Sequence, residues 1–220
     1  MTVDDAVARA LTRRNAPLSV AVGGHGRTER STLAAAIRAR FRLPTVVAED
    51  EGPPPDVDLT IRVIGAQPRR CDVAAVASGG AMIVVAGKAD LRGDPRALAD
   101  IAAQTLGVPV LPVSGLLASV TVVPGDMALL RSDPVDPDVL RRFGVEGVAR
   151  ARELGVVSAE VLTARLREVS GIDAVAAAIR SMSTDIAAGR DRRMRAELRL
   201  AAARAVDREL VESALAGVAS

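Results

Sequence analysis

The sequence predicts an α/β fold: a mostly parallel sheet with flanking helices, followed by a C-terminal helical extension. Three observations predict it. Four short runs, at residues 18–22, Leu59–Ile64, Met82–Ala86 and residues 108–113, are mostly apolar without regular polar alternation, as strands covered on both faces are. Stretches with apolar residues at helical spacing lie between them. From about Pro134 the strand-like runs stop and only helical patterns remain, which divides the chain into an α/β part, 1–133, and a helical part, 134–220.

Taken in order, residues 3–14 read as a helix with Val7 and Leu11 on one face, ended by Pro17. The strand at 18–22 runs into a Gly-rich turn, and a helix over 31–41 follows, with Leu33, Ile37 and Phe41 in line. Residues 44–47 suit a short strand. Three consecutive prolines make 49–55 a loop. Pro95–Leu106 reads as a helix with Leu98, Ile101, Ala102 and Leu106 facing inward. In the second part helices are expected over 137–154, 158–169, 172–188 and 190–216, with Gly155 and Gly171 at two breaks and Asp173 favourable in a first turn.

Composition narrows the function. Hydrophobic residues are 49% and charged residues 25% of the 220, the balance of a globular chain and not a disordered one. Trp and Tyr are absent and Phe41 and Phe143 are the only aromatics, so base-stacking platforms for single-stranded nucleic acid are missing. A net charge of +2 calls for no polyanionic partner. Of 29 basic residues, Lys88 is the one lysine; the Arg, Ala and Val bias points to a GC-rich, actinobacterial type of genome. A single cysteine, Cys71, forms no internal disulfide and has no His or Cys at metal spacing. Acidic residues near the N-terminus and the lack of a long apolar run make a cytoplasmic location the expectation, and do not support membrane association.

The chemistry-bearing segments begin at Val20-Ala-Val-Gly-Gly-His-Gly-Arg-Thr-Glu-Arg-Ser-Thr32. A P-loop is a strand, G-x-x-x-x-G-K-[ST] and a helix, in which backbone N–H groups wrap a phosphate. Gly24 takes the first Gly position, Glu29 the second, Arg30 that of the Lys, and Ser31, beside Thr32, that of the metal-ligating hydroxyl. A carboxylate at Glu29 opposes phosphate, and the planar fork of Arg30 is not a compact ammonium. A plain Gly-rich strand-to-helix turn is the alternative reading. His25 in the same turn reads as a solvated loop side chain.

Further on, Ile83-Val-Val-Ala-Gly-Lys-Ala-Asp-Leu91 resembles the guanine-reading [NT]-K-x-D of GTPases, with Lys88 and Asp90 matching and Gly87 in place of Asn. Val110-Leu-Pro-Val-Ser-Gly-Leu116 resembles the strand ending in S-A-[LK], with Ser114 matching and Gly115 in place of Ala. The expected D-x-x-G aspartate is absent from Val63-Ile-Gly-Ala-Gln67, and Asp56 and Asp58 fall at the opposite end of that strand. Thr45 is the candidate for a switch threonine. Without a metal-holding aspartate, phosphoryl transfer loses its main charge stabilisation.

In the helical part, Leu140-Arg-Arg-Phe-Gly-Val-Glu-Gly-Val148 and Leu166-Arg-Glu-Val-Ser-Gly-Ile-Asp-Ala174 complete a resemblance to bacterial dynamin-like GTPases of the actinobacterial, isoniazid-inducible type. The resemblance spans roughly residues 18–204 and implies a degenerate GTPase-like protein, catalytically impaired. It would act as an interaction module on another GTPase-like protein or on itself as a dimer. The alternative it implies is a slow but genuine GTPase using GTP or GDP with Mg. There Arg30 would contact phosphate, Ser31 the magnesium, Lys88 and Asp90 the base, and Ser114 would support it, with Gly24 and Thr32 also among the nucleotide-binding residues. A P-loop ATPase of another family is disfavoured by the Lys88/Asp90 pair. Along 190–208, Met194, Leu198, Ala201 and Ala205 form a packing stripe on a charged helix, with partner docking as the other reading.

Overall fold

A computed structural model describes residues 3–48 and 57–204. Thus the proline-rich loop at 49–55, Asp56, Ala205 and the end of the last expected helix lie outside the described residues. The chain forms two compact units, one of residues 19–181 and one combining the two ends, 1–18 and 182–220.

The larger unit is built on five parallel strands: β1 (Val20–Gly24), β2 (Thr45–Val47), β3 (Leu59–Ile64), β4 (Met82–Ala86) and β5 (Val110–Pro112). Their spatial order is β2-β1-β3-β4-β5. All five residues of β1 are buried, and so are five of the six in β3, which is why neither shows polar alternation. Between the strands run α2 (Arg30–Phe41), after α1 (Val3–Asn15) of the other unit, then α3 (Arg70–Ala77) and α4 (Pro95–Leu106). The chain steps from β1 to β2 in one direction, then from β3 through β4 to β5 in the other. The order therefore reverses between β1 and β3, where a parallel sheet opens a crevice beyond its strand ends.

Three short elements have no clear sequence signal. They are α3, α5 (Gly115–Ser119) and α6 (Asp126–Arg131), each under nine residues and too short to display a face. Helix α3 is tied to the sheet by a buried ion pair, with the Arg62 guanidinium 2.7 Å from Asp72. Helix α4 has its expected bounds but a narrower inner face. Ala99 and Ala102 are buried, whereas Ile101 is 58% exposed, so its inward assignment is corrected.

Helices α7 (Pro137–Glu153), α8 (Ala159–Val169) and α9 (Ile172–Ser181) belong to the same compact unit as the sheet. Phe143, Leu162 and Leu166 join Leu117 of α5 and Leu130 of α6 in one apolar core. Gly144 interrupts α7 with φ 68°, ψ 172°. The Ser170-Gly171 junction buttresses the end of β5: the Ser114 N–H donates to the Ser170 carbonyl at 2.9 Å. Gly171 has φ +76°, and a Cβ there would lie 2.2 Å from the Pro112 carbonyl oxygen. Only glycine fits.

In the other unit α1 pairs with α10 (Ser183–Arg204). Ala10, Met194 and Leu198 are buried, and Arg13–Glu197 and Arg14–Asp191 bridge at 2.8 and 2.7 Å. The helix expected to stop before Arg190 breaks instead at Met182, and α10 runs unbroken through Gly189. One isolated glycine costs a helix only about 1 kcal/mol, which packing along the Met194–Leu198 stripe offsets.

Candidate functional site

The turn from Gly24 to Glu29 lies at the reversal point of the sheet. Gly24 has φ +147°, and a Cβ on it would fall 2.2 Å from the Val63 carbonyl oxygen, so strand β3 presses directly on the turn. Arg27 and Glu29 both take the left-handed conformation, with φ 66° and 74°. The Thr28 hydroxyl closes the turn on the His25 carbonyl at 2.5 Å.

Glu29 then sends its carboxylate across the strand ends. Its Oε2 accepts from the Lys88 N–H at 2.9 Å and the Gly115 N–H at 3.2 Å, and its Oε1 from the Leu116 N–H at 3.2 Å. One side chain thus clamps the loops after β1, β4 and β5. Burial pushes the Glu29 pKa up, against the lowering effect of the three amides, and the neighbouring charge of Asp90 pushes it further up.

The two glycine replacements in the resembling motifs follow from this packing. A Cβ on Gly87 would sit 2.6 Å from the Thr28 carbonyl oxygen, and one on Gly115 would sit 2.9 Å from the Leu33 amide nitrogen. Backbone occupies the space where an Asn or Ala side chain would begin. Arg92 braces the same loop, donating from Nε and Nη2 to the Gly87 carbonyl at 3.2 and 2.9 Å. Lys88 is held left-handed, φ 58°, at the start of a 3-10 turn over Ala89–Leu91.

Beside the clamp lies a pocket of roughly 310 Å³, lined by Glu29, Thr32, Lys88, Asp90, Leu91, Leu116, Leu140, Gly144 and Val145. Asp90 Oδ1 is closed off from solvent and accepts no hydrogen bond among the described residues. Gly144 leaves room beside it: a Cβ there would lie 3.7 Å from Asp90 Oδ2 and 3.1 Å from Leu116 Cδ2.

Of the sequence-derived candidates, Thr32, Lys88 and Asp90 meet at this pocket. Arg30 turns elsewhere, its Nη1 donating to the Ala48 carbonyl at 3.0 Å. Ser31 is exposed, and Ser114 is fully buried, where its hydroxyl caps α5 by accepting from the Leu117 N–H. Thr45 pairs in register with Val20, at the start of β1, and its hydroxyl donates to the Leu43 carbonyl. Four residues of strand, about 13 Å, separate that level from Gly24, so Thr45 cannot serve the turn. Asp58 is likewise at the far edge, accepting from the Ser19 N–H and hydroxyl at 2.9 Å. His25 is half-buried, and Cys71 is exposed.

Sequence reasoning missed Leu91, Leu140, Gly144 and Val145 as pocket wall. The R-F-G-x-x-G pattern was the available signal, but nothing in it says which strand end the glycine faces. No helix among the described residues is long and apolar enough to cross a membrane. No protein-family model matches the chain, and no curated protein matches it either.

Proposed function

We propose that this chain is a degenerate GTPase-like protein of the bacterial dynamin-like kind, which acts through protein contacts rather than by hydrolysing nucleotide. The observation that carries the reading is the Glu29 carboxylate bound to the amides of Lys88, Gly115 and Leu116. In the resembling motifs the last two amides would support guanine; here they are already satisfied within the chain. A guanine carbonyl brought to that edge would meet carboxylate oxygens instead of N–H donors.

The phosphate and metal side fits no better. Arg30 is engaged with the Ala48 carbonyl, and Ser31 has no acidic companion at the end of β3, where Val63 and Ile64 reach the level of the turn. GTP or GDP with Mg is accordingly a poor match to the residues present. The partner is another GTPase-like protein or a second copy of this chain.

The slow-GTPase reading draws support from one feature, the unpaired Asp90 Oδ1 beside Lys88. Equilibrium binding of GTP and ATP, each with and without magnesium, separates the two. No binding at high micromolar nucleotide is the expected result. GTP binding that disappears in Asp90→Asn would overturn the proposal.

A further inference from the structure

The same pocket has a chemistry of its own. It presents two carboxylates, Glu29 and Asp90, against one ammonium, Lys88. Lys88 makes no ion pair among the described residues, so neither carboxylate is neutralised by it directly. A carboxylate oxygen shut away from water without a donor is costly, and a ligand that supplies the donor recovers that cost.

Guanine does not meet this requirement on both sides. Its N–H edge suits Asp90, but its carbonyl would face Glu29, whose carboxylate holds the Gly115 and Leu116 amides. What suits two carboxylates is a group made of donors alone, with enough of them to reach both and a positive charge to balance theirs. A guanidinium has that form: five N–H donors in a rigid fork and one positive charge.

The mouth of the pocket indicates how such a group arrives. Leu91 is 64%, Val145 66% and Leu140 38% exposed, an apolar rim around a polar floor. An arginine anchor surrounded by apolar contacts that exclude water is the usual anatomy of a protein–protein hot spot. We infer that the pocket receives an arginine side chain from a protein partner, its guanidinium bridging Asp90 and Glu29 and its flanking residues packing on Leu91, Leu140 and Val145. This rests on the reading of the chain as an interaction module, and names what the module grips.

The test uses the full chain and three probes: agmatine, acetyl-Leu-Arg-Leu-amide, and the same peptide with citrulline, which replaces the cationic guanidinium by a neutral urea. Calorimetric titration should show the arginine peptide binding at least tenfold tighter than agmatine, and at least tenfold tighter than the citrulline peptide. Asp90→Asn should weaken the arginine peptide tenfold or more with its thermal midpoint not lowered. Leu91→Ser, at an exposed position, should weaken the peptide but leave agmatine unchanged. No binding of the arginine peptide, equal binding of the citrulline peptide, or an affinity indifferent to Asp90→Asn overturns the inference. Agmatine binding as tightly as the peptide overturns the protein source. The two proposals fail differently: Asp90-dependent GTP binding removes the interaction reading and this inference together. Failure of the peptide without GTP binding removes only this one.

Discussion

A single carboxylate decides the character of the strand-end loops. Glu29 occupies a left-handed position that glycine would fill with less strain, on the order of 1 kcal/mol. It holds three amides there, and hydrogen bonds to a charged group contribute about 1.5–3 kcal/mol each. The bonds offset the strain and part of the cost of burying the carboxylate, and the residue that disqualifies the turn as a phosphate loop ties it to the neighbouring loops. Its protonation gives a signature. The folded-state pKa lies above the ordinary 4.5, raised by burial first and by Asp90 second. Between those two values the folded protein keeps a proton that the unfolded chain has released. Glu29 therefore removes stability as pH rises through the window above 4.5, and its contribution is constant below that window and beyond the folded pKa. Urea unfolding of the wild type and of Glu29→Gln across pH 4.5 to 8 checks this. The wild-type stability, taken relative to the variant, should decline as pH rises; a difference that stays level or grows would remove Glu29 as the group responsible.

Elements were legible to different degrees. The bounds of β3, β4 and α4 coincide with their sequence reading, because runs rich in Ile, Val and Leu, or a Pro after an N-capping Asp94, leave few alternatives. Helix α4 shows the limit. Four residues fit its inner face by spacing, yet the surface closest to the sheet is built of Ala99 and Ala102 while Ile101 points outward. Spacing gives a face to within about one residue, and close packing of small side chains selects the rest. The guanine-motif loop was legible as a motif but not as an environment. Gly87 looked like a loss of Asn; in the fold it is the one residue that admits the Thr28 carbonyl. Restoring the motif with Gly87→Asn should lower stability by about 1–3 kcal/mol, as overpacking against backbone does. For a chain of this size that is a fall of roughly 2–12 °C in thermal midpoint. It should also confer no GTP binding, since Glu29 still holds the Gly115 and Leu116 amides. A stable variant that gained GTP affinity would mean the glycine alone had disarmed the loop.

For the whole molecule, the notable feature is that the two ends of the chain form one unit and the middle another. Sequence grammar divided the chain at about residue 134, where strands give way to helices. Contacts group it otherwise, because Phe143, Leu162 and Leu166 are buried with Leu117 of the sheet-bearing part, whereas Met194 and Leu198 are buried in the unit that contains α1. An amphipathic stripe states that a helix has a buried face, not which partner buries it. The division predicts separable stability. Leu198→Ala should reduce hydrogen-exchange protection in α1 and α10 by about 2–5 kcal/mol of opening free energy, the ordinary cost of such a cavity. Protection of β1, β3 and β4 should remain unchanged. Leu162→Ala should do the converse. Equal loss everywhere in both variants would show that the units unfold as one.

The sequence by itself determined where the strands and most of the longer helices lie, the mostly parallel character of the sheet, and the chain positions of its strand-end loops. Those properties depend on local patterns of burial, readable within a few neighbouring residues. Only the tertiary structure decided what the loops do. Glu29 meets amides 59, 86 and 87 residues away, Arg30 reaches Ala48, and the glycine of α7 comes to stand beside Asp90. Such contacts depend on the directions of side chains leaving a folded backbone, which no spacing along the chain encodes.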